Sequence, residues 1–285
     1  MWDQIAKEIS RWTGQPFEMG DRTSVGGGCI NQGYCLRGGD AAYFIKLNSA
    51  AQLEMFQAEA LALRQMAATN TIRVPQPLGV GVAGASSYIV MEWLEFGRGT
   101  SPSWEKMGRD LAALHQAPGP DRFGWDRNNT IGSTPQVNDW TDNWADFFAE
   151  QRIGFQLRLA KRRGGNFPDT GKVIAKVRDI LNHWQPSPSL LHGDLWSGNA
   201  ACTVTGEPVI LDPATYWGDR ETDIAMTELF GGFPAHFYSG YEAVWPLDPG
   251  YRRRKPLYNL YHILNHFNLF GGGYGSQAAR MIEQL

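Results

Sequence analysis

The chain has 285 residues and a mass of 31.8 kDa, with 26 Lys and Arg against 29 Asp and Glu, so its formal net charge is −3. This length suits one large domain or two lobes. The charge does not favour general nucleic-acid binding, which needs a basic surface. The longest apolar runs are far shorter than the ~20 residues of a membrane span, and the N-terminal residues do not resemble a signal peptide.

Cysteine occurs at positions 29, 35 and 202. An odd and sparse set of cysteines does not predict a disulfide framework, and it favours a reducing compartment. We therefore expect a cytoplasmic protein that binds neither membranes nor nucleic acids.

The first third of the chain is predicted to contain strands and one long helix. Apolar spacing predicts a short helix over residues 2–12 and a long helix over residues 51–69. A glycine-rich segment, residues 26–28, precedes the first strands. Strands are predicted at residues 42–47, 78–83 and 87–93.

Beyond residue 97 the pattern becomes mostly helical. Glycines at 97 and 99 mark a boundary, so we expect one domain over residues 1–96 and another over residues 97–285. Ser103 is predicted to cap a helix that ends at His115. Further helices are predicted at residues 140–162, at residues 172–184 and several times over residues 221–285.

The strongest chemical signal lies at residues 191–199, which read Leu-His-Gly-Asp-Leu-Trp-Ser-Gly-Asn. Asp212 follows thirteen residues after Asn199, and a turn predicted at residues 205–207 returns the chain towards the loop. Phosphoryl transfer needs one carboxylate to accept the proton of the attacking hydroxyl, and Asp194 suits that role. It also needs oxygen ligands for Mg²⁺, which Asn199 and Asp212 would supply.

An Asp-x₄-Asn run followed by a metal-binding Asp resembles the catalytic core of the protein-kinase-like fold. The His-Gly-Asp form is similar to its small-molecule branch, which includes aminoglycoside phosphotransferases and choline kinases. The resemblance implies an α+β, two-lobed fold with ATP and Mg²⁺ in the cleft. The N-terminal lobe would contain an antiparallel sheet and one long helix, and the C-terminal lobe would be mainly helical. It also implies that Asp223 anchors the catalytic loop and that His192 is structural.

The N-terminal third of the chain allows an independent check of the resemblance to kinases. A kinase uses a strand lysine to contact the ATP phosphates and a helix glutamate to hold that lysine. Lys46 ends a predicted strand, and Glu59 lies thirteen residues later in the predicted helix. The backbone of Gly26, Gly27 and Gly28 is placed to cover the phosphates. By analogy with kinases, Glu92, Trp93 and Leu94 form the hinge that meets adenine through its backbone.

A wider set of motifs resembles the fructosamine kinase (ketosamine 3-kinase) family, from about residue 20 to residue 275. The motifs lie at residues 123–125, 128–136, 138–140, 216–223, 226–233, 257–266 and 270–274. The resemblance implies phosphorylation of the sugar 3-hydroxyl of ketosamines, followed by elimination that frees the amine. Bacterial and plant members are associated with ribulosamines and erythrulosamines more than with fructosamines. The partners would be small ketosamines or glycated proteins.

Several residues have two interpretations. Trp217 is a candidate platform for the sugar or a buried core residue. His262 and His266 share a helix face and are expected to line the substrate cleft or pack between helices, without a metal. The basic runs at residues 161–163 and 252–255 are expected to be solvated, or to help dock an acidic protein substrate.

Cys29 lies in the glycine-rich segment, where a positive and exposed setting would favour the thiolate. Our hypothesis is that its oxidation, for example to an intermolecular disulfide, switches activity off. The protein would then be a monomer, or a dimer once Cys29 is oxidised.

Two other functions remain open at this point. The chain would also suit a kinase for an aminoglycoside or a choline-like alcohol. A catalytically dead nucleotide-binding module is the third interpretation. The complete set of Lys46, Glu59, Asp194, Asn199 and Asp212 argues against it, because an inactive kinase homologue usually lacks one of these residues.

Overall fold

The computed structural model describes residues 1–26 and 30–285. The chain forms two compact units, the first made of Met1–Thr100 with Ala201–Leu211 and the second of Ser101–Ala200 with Asp212–Leu285. The first unit continues four residues beyond the predicted boundary after residue 96, and it also includes a later hairpin that the prediction placed in the second domain. No helix among the described residues is long and apolar enough to cross a membrane.

The secondary structure follows in chain order. The first hundred residues form α1 (Trp2–Thr13), β1 (Asp21–Val25), β2 (Gln32–Gly38), β3 (Ala41–Ser49), α2 (Leu53–Ala68), β4 (Pro77–Ala83), β5 (Ser86–Glu92) and β6 (Phe96–Gly97). The middle of the chain forms α3 (Ser101–His115), β7 (Asn129–Ile131), β8 (Thr134–Gln136), α4 (Trp144–Phe147), α5 (Phe155–Arg162), α6 (Thr170–Leu181) and β9 (Ser189–Leu191). The remainder forms β10 (Ala200–Thr203), β11 (Pro208–Ile210), β12 (Tyr216–Gly218), α7 (Glu221–Leu229), α8 (Ala235–Val244), α9 (Tyr251–Phe270) and α10 (Gly273–Gln284).

The first unit contains a five-stranded antiparallel sheet in the order β1-β2-β3-β5-β4. Ile5 and Ile9 of α1 are fully buried in one core cluster with Leu36, Ile45 and Val90 of the sheet. The predicted combination of an antiparallel sheet with one long helix is confirmed. Strand β1 is absent from the predicted strands because its sequence, Asp-Arg-Thr-Ser-Val, is almost wholly exposed and has no apolar alternation.

The hairpin β10–β11 belongs mainly to the first unit, where β10 pairs with β6. The turn predicted at residues 205–207 is present, and Gly206 adopts a φ of 83° there. The N–H of Gly206 donates to the carbonyl oxygen of Thr203 at 2.9 Å. This hairpin connects the loop that carries Asn199 to the segment that carries Asp212.

Two helix predictions are corrected by the structure. The helix predicted to be capped at Ser103 begins at Ser101, so Ser103 lies inside α3 and is buried. The single helix predicted over residues 140–162 begins at Trp144, after Asn143 accepts the N–H of Asp146 as its N-cap. A π-helix, Phe148–Gly154, separates α4 from α5. Apolar spacing does not reveal such a change of helix type.

In the second unit, α3 and α8 approach each other through glycines. A Cβ on Gly108 would lie 2.0 Å from the carbonyl oxygen of Phe237, and a Cβ on Gly240 would lie 2.0 Å from that of Glu105. Both atoms that such a Cβ would meet belong to the backbone. The clash could therefore not be relieved by the movement of a side chain.

We expect Gly108→Ala to lower the free energy of unfolding by about 1–3 kcal/mol or more, because the two helices must separate. Urea unfolding measures this change. Gly273→Ala is the matched control, since a Cβ at this helical position meets no atom within 4 Å; it should be neutral or stabilising by up to about 1 kcal/mol. Equal unfolding midpoints for the two variants would contradict the close packing.

Candidate active site

The loop after β9 carries the predicted catalytic aspartate. Gly193 has a φ of 84°, which glycine adopts at little cost, and a Cβ there would lie 2.1 Å from the carbonyl oxygen of Ala214. The N–H of Ala214 donates to the carbonyl oxygen of His192 at 2.8 Å. The glycine of the His-Gly-Asp run is therefore required both by its own conformation and by the segment that packs against it.

The buried carboxylate of Asp223, on α7, holds this loop. It accepts the N–H of His192 at 2.7 Å and the N–H of Gly193 at 2.8 Å, and His115 Nε2 lies 3.1 Å away. Burial alone would raise the pKa of Asp223, but the hydrogen bond from His115 and the attraction of both histidines hold the pKa below its ordinary value. His192 is fully buried, and its Nδ1 accepts the N–H of Asp194 at 3.2 Å.

Asp194 lies among other carboxylates of the second unit. Burial, together with the negative charges of Asp212 and Asp223, raises its pKa to about 7, although the hydrogen bond from the Asn199 amide opposes the increase. A carboxyl group that titrates near neutrality is suited to take a proton from a hydroxyl. The same grouping of negative charge favours a cation beside these residues.

Asn199 and Asp212 fit a magnesium ion as a partial set of ligands. Asn199 Nδ2 donates to the carbonyl oxygen of Asp194 at 2.8 Å, so its Oδ1 is the oxygen left to accept. In residues 1–26 and 30–285, no three His, Cys, Asp or Glu side chains are grouped so as to hold a metal alone. Mg²⁺ is commonly held by one or two carboxylates together with phosphates and water, and an amide with a carboxylate suits that chemistry.

Lys46 and Glu59 form an ion pair in the first unit. Lys46 lies on β3 opposite Ile89 of β5, and its Nζ is 2.6 Å from Oε1 of Glu59 on α2. Their side chains are only 8% and 10% exposed. The structure thus joins the two residues, on the two elements that the sequence predicts.

The glycine-rich segment is described only in part. Gly26 follows β1, and a Cβ there would meet no atom within 4 Å. Gly27, Gly28 and Cys29 lie outside the described residues. The phosphate-covering role of the glycines and the redox role of Cys29 therefore stay predictions.

The predicted hinge residues end β5. The Glu92 carboxylate accepts hydrogen bonds from Arg73 Nη2 and from the N–H of Gln76, both at 3.0 Å. Trp93 is half-buried and Leu94 is buried. The Glu92 N–H also donates to the carbonyl oxygen of Gln76 at 2.9 Å, and the predicted contact of this segment with adenine stays a prediction.

Two tryptophans differ in their surroundings. Trp217, on β12, pairs with Leu190, and its indole packs so closely on Gly119 that a Cβ there would lie 2.0 Å from the ring. Trp196 lies two residues beyond Asp194 and is 39% exposed, although tryptophan usually buries most of its surface. Trp196 is absent from the predicted site residues; its signal is a large aromatic side chain in a polar loop that no strand or helix periodicity explains.

The two histidines of α9 lie among packed side chains. Burial, with repulsion from His266 and a smaller repulsion from Arg152, outweighs the attraction of Asp223 and lowers the pKa of His262 to about 3. His266 is half-buried, its Nδ1 lies 2.8 Å from the carbonyl oxygen of His262, and its ring centroid is 4.7 Å from that of Phe230.

The basic run at residues 252–255 is only partly solvated, contrary to the prediction. Arg254 is buried, and its Nε and Nη2 each lie 2.7 Å from a carboxylate oxygen of Glu221. Lys255 pairs with Glu228. These acidic partners lie 33 and 27 residues away along the chain, so local sequence does not reveal them.

Comparisons with known proteins identify the family. The fructosamine kinase family model matches residues 1–285. This chain belongs to the fructosamine kinase family. It is 65% identical over 283 residues, 99% of this chain and 96% of the relative, to a protein of Synechocystis sp. named probable ketoamine kinase. It is 45% identical over 268 residues, 92% of this chain and 77% of the relative, to the chloroplastic protein-ribulosamine 3-kinase of Oryza sativa subsp. japonica.

Solved structures agree with the fold of this fructosamine kinase family member. A crystal structure from Haemophilus somnus 129PT, assigned as a fructosamine-3-kinase, matches with a TM-score of 0.95 and 34% identity, over 100% of this chain and 97% of that one. A thermostable mutant of aminoglycoside phosphotransferase APH(4)-Ia matches with a TM-score of 0.62 and 16% identity over 98% of each chain, which shows the fold alone. The fold is that of the protein-kinase-like phosphotransferases.

The low pKa of His262 predicts a loss of stability in acid. In the unfolded chain His262 binds a proton below its ordinary pKa of 6.5, whereas in the folded chain it does so only near pH 3. Acid therefore favours the unfolded chain. The contribution of the neutral histidine to the free energy of unfolding is complete above pH 6.5 and falls as the pH is lowered. We expect the parent to lose about 2–3 kcal/mol more than His262→Gln between pH 6.5 and 4.5. Urea unfolding at both pH values measures this difference.

His183→Gln is the matched control, because His183 is exposed. It should retain the pH dependence of the parent. Parallel stability profiles for the parent and His262→Gln would show that His262 is not kept neutral by the fold.

Proposed function

We propose that this protein is an ATP-dependent ketosamine 3-kinase. The observation that carries the proposal is the arrangement of Asp194, with a pKa of about 7, in a loop that Asp223 anchors and that also presents Asn199. Membership of the fructosamine kinase family supports the same reaction class.

In this reaction Asp194 orients the sugar 3-hydroxyl and accepts its proton. The hydroxyl oxygen forms a bond to the γ-phosphorus of ATP while the bond to the bridging oxygen breaks and ADP leaves. Asn199 and Asp212 would hold Mg²⁺, which offsets negative charge on the phosphates. Without a cation the pKa of Asp194 is raised to about 7, and Mg²⁺ at Asp212 would lower it, so Asp194 would be ionised and able to accept the hydroxyl proton.

Lys46 supports nucleotide binding in the first unit. Its ammonium group is held by Glu59 in a largely buried pair, which restricts the long side chain to one position before the nucleotide arrives. A lysine fixed in this way supplies positive charge to phosphate oxygens without the entropic cost of ordering it during binding. Family membership and this geometry together support ATP as the donor.

The acceptor is a ketosamine formed when a reducing sugar reacts with an amine. The names of the Synechocystis and rice relatives support ketoamines, and ribulosamines in particular, as its class. Phosphorylation at the 3-hydroxyl would be followed by elimination of the phosphate and release of the amine, so the outcome would be deglycation. The acceptor is a small ketosamine or a glycated protein.

Trp196 is a better candidate for the sugar platform than Trp217. An exposed indole two residues beyond Asp194 can pack against the C–H face of a sugar. Both indoles pack against a glycine, Trp217 against Gly119 and Trp196 against Gly198, so the greater exposure of Trp196 is what separates them.

An ATP–Mg²⁺ assay on ribulose-lysine, erythrulose-lysine and fructose-lysine tests the proposed reaction, with mass spectrometry of the phosphorylated sugar. We expect transfer to at least one ketosamine and none to an aminoglycoside or choline. Asp194→Asn should retain ATP binding and lose about 10²- to 10⁴-fold in turnover, because it cannot accept the proton.

Asp179→Asn, at an exposed position of α6, is the control and should match the parent. Transfer to a control alcohol alone would refute the substrate class. Near-normal turnover by Asp194→Asn would refute the role of Asp194 as the base.

The two tryptophans can be separated by kinetics. We expect Trp196→Ala to raise KM for the ketosamine by about two- to tenfold, since aromatic packing contributes roughly 0.5–1.5 kcal/mol, and to leave KM for ATP unchanged. Trp217→Ala should lower thermal stability through a cavity next to Gly119, with little change in ketosamine KM. The opposite pattern would restore Trp217 as the platform.

A further inference from the structure

The segment that carries Asp212 has an unusual backbone. Asp212 has a φ of 55°, although it directly precedes Pro213 and such residues favour extended backbone. Residues 213–215 belong to no helix or strand. A left-handed non-glycine residue costs about 1–3 kcal/mol and persists only where its surroundings fix it.

Three hydrogen bonds hold the backbone of this segment. The N–H of Ala214 donates to the carbonyl oxygen of His192, in the catalytic loop, at 2.8 Å. The carbonyl oxygen of Ala214 accepts from Gln136 Nε2 at 2.9 Å, and the carbonyl oxygen of Thr215 accepts from Asn129 Nδ2 at 2.8 Å. Gln136 and Asn129 are paired across the β7–β8 hairpin. The hairpin therefore holds two carbonyl oxygens of the segment, whereas the catalytic loop holds the N–H of Ala214.

Both amides are themselves fixed. Gln136 Nε2 also donates to Asn129 Oδ1 at 2.8 Å, and Gln136 Oε1 accepts from the Tyr261 hydroxyl at 2.6 Å. Asn129 Oδ1 accepts a second hydrogen bond from Asn138 Nδ2 at 2.8 Å. Because backbone carbonyls can only accept, the amide nitrogens must face the segment, and the orientation of each amide is determined. Gln136 is 1% exposed and Asn129 is 9% exposed.

The far end of this network is a buried cation. Arg152, in the π-helix Phe148–Gly154, is fully buried and donates from Nη2 to Asn138 Oδ1 at 2.7 Å and from Nη1 to the Val137 carbonyl oxygen at 2.6 Å. Its guanidinium lies 4.0 Å from the centroid of the Tyr216 ring. In the part of the chain that the structure describes, no carboxylate pairs with this guanidinium, so amide and carbonyl dipoles and aromatic faces solvate it.

We propose that Gln136 and Asn129 are positioning residues that fix residues 212–215 and thereby aim the Asp212 carboxylate. This inference rests on the proposed function, in which Asp212 is a metal ligand. Neither amide needs to touch the metal or the nucleotide, because each acts through a backbone carbonyl one or two peptides beyond Pro213. Loss of either donor leaves a carbonyl oxygen without its partner, and the strained residue is then free to relax.

The test compares Gln136→Met and Asn129→Leu with the parent. Both replacements are similar in size and neither can donate a hydrogen bond. Binding of Mn²⁺ in the presence of ADP is measured from the electron paramagnetic resonance signal of the free ion. We expect the dissociation constant for Mn²⁺ to rise about 10- to 100-fold, which is typical for loss of a residue that orients a metal ligand. ADP binding without metal should be unchanged.

Asn268→Leu is the matched control, since it removes a fully buried amide that bonds Gln156 and not residues 212–215. It should lower the melting temperature and leave Mn²⁺ binding at the parent value. Tyr261→Phe removes only the hydroxyl that orients Gln136 and should raise the Mn²⁺ dissociation constant by about two- to fivefold. This milder variant gives a result even where Gln136→Met does not fold.

The outcomes separate this inference from the proposed function. Parent-like Mn²⁺ binding by Gln136→Met, or by Tyr261→Phe where Gln136→Met does not fold, would overturn the positioning role while kinase activity stands. An equal loss in Asn268→Leu would also overturn it, because the effect would then be general destabilisation. A parent protein that neither binds Mn²⁺ with ADP nor phosphorylates any ketosamine would overturn the proposed function, and the positioning role with it.

Discussion

The buried carboxylate of Asp223 is the constraint on which the catalytic loop depends. A charge removed from water must have its oxygens occupied, and here the N–H groups of His192 and Gly193 occupy them. In this arrangement Gly193 lies in the left-handed region. That conformation also brings the Ala214 backbone into direct contact with the loop, so one buried charge orders two separate stretches of chain.

Two carboxylates of the second unit differ in proton affinity because their surroundings differ. Asp223 receives N–H donors and lies beside histidines, which stabilise its negative form and lower its pKa. Asp194 is half-buried beside other negative charges, and its pKa rises to about 7. The same side chain therefore serves as a permanent anion in one place and as a group able to exchange a proton in the other. A cation near Asp212 would shift Asp194 back towards its ionised form.

Local sequence predicts those features whose residues are close along the chain. Most helices belong to this class, because periodicity defines them directly. The loop at residues 191–199 and the Lys46–Glu59 pair are recognised through their resemblance to kinases, which supplies the reason to connect residues that spacing alone does not. Contacts between distant residues could not be predicted: Gln136 meets Ala214 across 78 positions, and a polar edge strand such as β1 has no apolar pattern. Trp196 could not be predicted as a site residue for another reason. Its exposure distinguishes it from a core tryptophan, and the sequence gives only the residue type.

The π-helix Phe148–Gly154 makes the number of residues in this part of the chain significant in itself. Its hydrogen bonds span one residue more than those of an α-helix, and Arg152 lies within it. Deleting a single residue would let α4 and α5 join in one regular helix, because the wider turn of the π-helix absorbs one extra residue. The residues of that turn would then follow α-helical spacing, so a gap of one position here in a homologous sequence would mark a protein whose arginine is placed differently, even where the catalytic motif is intact.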